Sequence, residues 1–155
     1  MRLFLGLLLL ATMAVGADLS DPNTWLRQLP DTWAVKIVPR GTLVPVDGVW
    51  QQGETRTDSR EIIVEDGASN GVIALHEVFH VLSAYGATKT MLHAVEQVFP
   101  QVGAELREET GAILFSLQFC SPADRKQYLA AARKAGCSLD SLESKRAVWE
   151  KVVRP

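Results

Sequence analysis

Two of the three histidines in this 155-residue chain stand four residues apart, with a glutamate directly after the first: His76, Glu77, Val78, Phe79, His80. On a helix, positions four apart lie on one face, so the two imidazoles can grip one ion as two corners of a tetrahedron. Glu77 is turned away from ligation but stays close enough to reach a water on that ion. This is the H-E-x-x-H arrangement, in which zinc activates water and the glutamate accepts its proton. The competing reading is accident. With three histidines and ten glutamates in the chain, chance placement yields the pattern in about 4 of 1,000 such sequences. The surrounding run is apolar, where bare charge is costly, and a metal gives each polar group a partner. One zinc per chain is expected, with His76 and His80 as ligands and Glu77 as general base.

These residues need a helix to hold them, and the flanking sequence supplies its ends. Residues 67–70 ("GASN") offer a cap at Ser69 or Asn70. Val72, Ile73, Leu75, Phe79, Val81 and Leu82 then surround the helix with apolar groups, and Gly86 fits the left-handed position beyond its end. Upstream, residues 18–30 read as a capped short helix or turn, and 32–38 as a strand ended by Pro39. Residues 41–50, with two glycines and a proline, read as an edge strand or loop; 51–59 as polar and turn-like; 60–66 as a short strand. Downstream, a second helix over 88–99 is stopped at Pro100. A third spans 103–119, and its second half is apolar almost all round, as in a buried helix. A polar, alanine-rich fourth runs to Gly136, and a last short helix runs from Asp140 to about Val152. The expected fold is α+β, one domain over 18–155, with a small N-terminal strand layer packed on a helical half.

Residues 1–17 carry a different signal. Arg2 precedes an apolar run from Leu3 to Val15, and Gly16 and Ala17 follow, which is the pattern of a secretory signal peptide. The run is shorter than the roughly 20 residues a spanning helix needs, so the mature chain is expected to be exported, secreted or periplasmic, without stable membrane insertion. Losing Arg2 takes the formal charge from −2 to −3. There is no basic stripe, which argues against a nucleic-acid partner. Cys120 and Cys137 are the only cysteines, and in an oxidising compartment they are expected to form one disulfide, contributing roughly 3 kcal/mol by the chain-entropy model. A monomer is the default expectation.

The stretch "LHEVFHVL", 75–82, resembles the active-site helix of the zincin superfamily of metallopeptidases. The likeness is firm on that helix and loose in the flanking architecture of strand, motif helix and a later helix supplying a further ligand. The metzincin branch takes its third ligand from a histidine soon after the motif, following a glycine. Ser83 and Gly86 occupy those two places here, which excludes that branch. The gluzincin-like branch takes a glutamate from a later helix, and so implies Glu105, Glu108 or Glu109. Helical phase ranks Glu109 first, on the face of Val102, Leu106, Ile113 and Leu117; Glu108, over Ala112 and Phe115, comes second and Glu105 third. Glu109 with Ala112 and the apolar run after it is also similar to the third-ligand segment of several small gluzincin-like families.

In some zincins a histidine or tyrosine assists the oxyanion. His93, Tyr85 and Tyr128 are available, but each also fits as an ordinary helix-surface or core-edge residue, and none is assigned. The resemblance further implies that the strand at 60–64 lines the cleft and pairs with an extended substrate. The implied activity is that of a small secreted zinc endopeptidase acting on a peptide or protein. The alternatives are a secreted protein that holds zinc without catalysis, and an exported amidase acting on cell-wall material.

Overall fold

The computed structural model describes residues 16–46, 48, 51–67, 69–137 and 139–153; of the expected signal segment, 1–17, all but Gly16 and Ala17 lies outside them. The described residues form α1 (Pro22–Leu26), β1 (Ala34–Val38), β2 (Gly53–Arg56), β3 (Glu61–Glu65), α2 (Asn70–Ala84), α3 (Lys89–Val98), α4 (Ala104–Phe119), α5 (Pro122–Lys134) and α6 (Asp140–Val153). The fold is α+β. Local chemistry explains several of the boundaries. The Asp21 side chain accepts a 2.9 Å hydrogen bond from the Asn23 N–H, and Pro22 opens α1 where no N–H is needed. Ser121 and Pro122 repeat the device at the start of α5, with Ser121 Oγ accepting from the Asp124 N–H at 3.1 Å. Gly86 takes a φ of 73° just past α2, a conformation that costs a glycine little. At the other end of α2, Ser69 is the capping residue but makes no side-chain cap bond.

The sheet has the order β1-β3-β2. β1 runs parallel to β3, from Ala34 beside Glu61 to Val38 beside Glu65. β2 runs antiparallel, from Gly53 beside Val64 to Arg56 beside Glu61. Two expectations are corrected by this register. The strand near 60–64 is central and has both edges occupied, so it cannot take a substrate strand. The stretch expected to be a polar turn instead supplies the edge strand, β2. The Gln52 carbonyl accepts from the Glu65 N–H at 2.9 Å, so by alternation the backbone groups of Gly53 and Thr55 face away from β3. Residues 41–46 form no ladder strand, only an isolated bridge at Val46.

The core lies between β3, α1, α2 and α4. Ile62, Val64, Leu75, Phe79 and Phe115 are fully buried. Trp25 meets Phe115 edge-on with centroids 4.7 Å apart, and Phe79 meets Phe115 at 5.5 Å. Each such pair is worth about 0.5–1.5 kcal/mol beyond the area it buries. Gly111 lets α2 and α4 approach, because a Cβ there would stand 2.7 Å from Phe79 Cζ. On the far side, the buried Trp149 of α6 donates from Nε1 to Gln118 Oε1 at 2.9 Å.

Both cysteines are free, contrary to the expected bridge between Cys120 and Cys137. Cys120 is buried at the end of α4, its Sγ 3.7 Å from the Leu117 carbonyl, whereas Cys137 is exposed beyond α5. The 13-residue α5 lies between them, and at 1.5 Å rise per residue such a helix holds its ends roughly 20 Å apart. A disulfide needs Cα atoms within about 7 Å. Among the described residues, no helix is long and apolar enough to cross a membrane.

Candidate metal centre

His76 and His80 project from the same face of α2, as their spacing requires, and both are largely buried. Their Nε2 atoms lie 3.2 Å apart. Glu109 reaches them from α4, with Oε2 at 3.2 Å from His76 Nε2 and Oε1 at 3.1 Å from His80 Nε2. Three potential donors thus converge from two helices whose separation is set by the Phe79–Gly111 contact. His76, His80 and Glu109 are the group among the described residues whose ligand atoms lie close enough together to hold a metal ion.

The donor set can be tested against zinc. Tetrahedral bonds of about 2.0–2.1 Å imply donor–donor edges of roughly 3.3–3.4 Å, within a few tenths of an ångström of the distances above. Two imidazoles and one carboxylate are ordinary zinc ligands, and a three-protein-ligand set leaves a fourth position open. The residues fit the ion.

The two other glutamates of α4 go elsewhere. Glu108, the second-ranked ligand, places Oε1 2.7 Å from His80 Nδ1, on the opposite side of the ring from the Nε2 atom that faces Glu109. A carboxylate there fixes the ring orientation and keeps the proton on Nδ1. Glu105 is exposed and folds back over Gly103, where an added Cβ would meet its Oε1 at 2.7 Å. Glu109, placed first by helical phase, is the glutamate of α4 that lies beside both Nε2 atoms, although the stripe used to set that phase is imperfect: Leu106, placed on the same apolar face, is 55 % exposed.

Hydrogen bonds and charge couple Glu109 to both imidazoles. Burial opposes charge on the His80 ring, but its hydrogen bonds to Glu109 and Glu108, with the charges of Glu109 and Glu77, outweigh burial and push it up to about 9. Glu109 is held well below the usual carboxylate range, chiefly by its hydrogen bond to His76 and then by that to His80. The carboxylates of Glu108 and Glu109, one at each ring nitrogen of His80, favour positive charge at that point.

A cleft of about 470 Å³ opens over the group, with His76, Glu77, His80 and Glu109 along its floor. One wall is β2; the other is the apolar segment Val44, Pro45 and Val46, with Val44 79 % and Val46 58 % exposed. Thr55 reaches from β2 to Glu77, its Oγ1 donating to Oε2 at 2.7 Å. Thr55 and the edge strand were hidden in the sequence behind polar composition. Gly53 and Thr55 alternate with Glu54 and Arg56, but neither is apolar, so the stretch offers no hydrophobic period by which to find the strand.

The residues left unassigned stay outside the centre. Tyr85 donates to Asp31 Oδ2 at 2.5 Å and accepts from Trp33 Nε1 at 3.1 Å, a structural link at the end of α2. His93 is exposed on α3 beside Gln97. Tyr128 is half-buried on α5, and burial raises its phenol pKa. Compared with family models, curated proteins and solved structures, the chain matches none.

Proposed function

We propose that this chain is a zinc-dependent metallopeptidase of minimal zincin-like build, exported by the signal segment at 1–17. The observation that carries the reading is the convergence of His76, His80 and Glu109 at zinc-like separations on the floor of an open cleft, with Glu77 beside them. A zinc ion bound by these three residues would supply a Lewis acid for the substrate carbonyl and lower the pKa of its water toward 7. Glu77 is the base: its carboxylate takes the proton of the attacking water and delivers it to the leaving amine. Oε2 is held by Thr55, so Oε1 is the oxygen assigned to proton transfer. His80 is oriented by Glu108 at Nδ1, which keeps its Nε2 turned toward Glu109, where it would hold the ion. The outward backbone groups of Gly53 and Thr55 offer an extended peptide an edge to pair with. The apolar segment at 44–46 lines the same cleft.

The cleft also favours a catalytic centre over a zinc held for structure alone, since a closed set of ligands needs neither an opening nor a base. Glu77→Gln separates the two. The substitution is nearly isosteric and removes only the proton acceptor, so zinc content and thermal midpoint should match the wild type while hydrolysis falls by roughly 10²–10⁴. The assay runs zinc-loaded protein on labelled casein and on cell-wall peptidoglycan, each with and without chelator. Undiminished hydrolysis by zinc-loaded Glu77→Gln would defeat the mechanism, and chelator-sensitive release from peptidoglycan alone would move the substrate to cell-wall amides.

A further inference from the structure

The donor geometry fixes His76, His80 and Glu109, but it does not fix Glu77. A glutamate side chain has three rotatable torsions, and on the exposed face of a helix nothing selects among them. Here β2 does. Thr55 Oγ1 is 2.7 Å from Glu77 Oε2 and only 3.4 Å from the Glu77 backbone carbonyl, so the short bond goes to the carboxylate. Gly53 lies two residues earlier on the same face of the strand. A Cβ at that position would stand 2.9 Å from both Cγ and Oε1 of Glu77 and 2.7 Å from Ile73 Cγ2. The side chain therefore lies in a gap that exists only because residue 53 lacks a side chain, with one oxygen tied to the residue two places on.

We propose that Gly53 and Thr55 of the edge strand form a seat that positions Glu77, Thr55 as the hydrogen-bond donor and Gly53 as the gap. The proposal rests on the peptidase reading above and assigns a task to a strand that the H-E-x-x-H motif does not include. It also gives β2 two separate uses. The outward backbone of Gly53 and Thr55 faces a substrate, while their helix-facing sides hold the base. A substrate pairing with the strand would thus be set in register with the carboxylate that serves it.

The test has two readouts on the full chain. The first is a double-mutant cycle in chemical denaturation at one fixed zinc concentration, with Thr55→Val, Glu77→Leu and the double variant. If the hydrogen bond is made, Thr55→Val lowers the midpoint in the wild-type background and does much less once Glu77 is Leu. The second is steady-state cleavage of labelled casein by zinc-loaded protein. Thr55→Val should lower kcat by about 10- to 100-fold through misplacement of the base, with KM within about twofold and zinc content unchanged. Thr55→Ser, which restores the hydroxyl, should recover most of the rate. Gly53→Ala, which fills the gap, should lower kcat as Thr55→Val does.

Equal cost of Thr55→Val in both backgrounds would remove the contact and overturn the proposal. Coupling in stability with kcat unchanged, or a Thr55→Ser variant as slow as Thr55→Val, would reduce Thr55 to a structural residue and overturn it equally. A wild type that holds zinc and shows the coupling but cleaves nothing would overturn the peptidase reading, and with it this role for Thr55.

Discussion

Glu108 and Glu109 carry the same side chain at adjacent positions, and α4 turns them toward different atoms. Successive residues on a helix differ by about 100°, which turns Glu109 toward the two Nε2 atoms and Glu108 toward the far nitrogen of His80. Their substitutions should therefore differ in kind. On the proposed reading Glu109→Gln removes one of three ligands and should abolish tight zinc binding. Glu108→Ala leaves the ligands in place and removes the group that orients one of them, a loss worth roughly 10- to 100-fold in affinity. Competition against a chromogenic zinc chelator measures both, and equal losses, or the reverse order, would contradict the division. The histidine pair was legible in the sequence because helix pitch alone fixes a spacing of four. Which glutamate joins it was less so, because the apolar stripe used to set the phase includes Leu106, which faces solvent at 55 % exposure. Near its first turn, α4 extends past the core that would have buried that residue.

At the scale of elements, the distance between α2 and α4 governs the centre, and Gly111 governs that distance. Gly111→Ala sets two effects against each other. Replacing glycine within a helix gains about 1 kcal/mol in propensity, while forcing a methyl into a packed contact costs about 1–3 kcal/mol. With Phe79 Cζ only 2.7 Å from the new Cβ, overpacking should win. Urea denaturation should show a lower midpoint, and zinc affinity should fall because Glu109 sits half a turn away. A more stable variant would mean that the Phe79 ring yields without moving the helix. The helices from α2 onward were readable to within a residue or two, since long apolar periodicity and glycine or proline stops leave little choice. β2 was not. Four residues with two charges and a glycine carry no hydrophobic signal, and the strand exists because β3 pairs with it and α2 packs on its inner side. The edge position expected of residues 60–64 accordingly belongs to 53–56.

For the whole molecule, the cysteine arrangement gives a direct measurement. Cys137 is exposed and Cys120 buried, with burial raising the pKa of the Cys120 thiol, so the native chain should take one alkyl group rapidly, at Cys137. The second should follow only after denaturation, with no reductant needed. Intact-mass spectrometry distinguishes this from a bridged pair, which would take neither without reduction. A sheet whose rim is open is, for most proteins, a template on which further copies can stack into fibres. In this molecule the rim strand is four residues long, its inner side is occupied by Glu77, and its outer side carries Glu54 and Arg56, paired with each other at 3.0 Å. A second copy approaching edge to edge would find only the backbone groups of Gly53 and Thr55 to bond with, and would have to strip water from two charges to reach them. Among the described residues, the open edge is thus too short and too wet to propagate an aggregate.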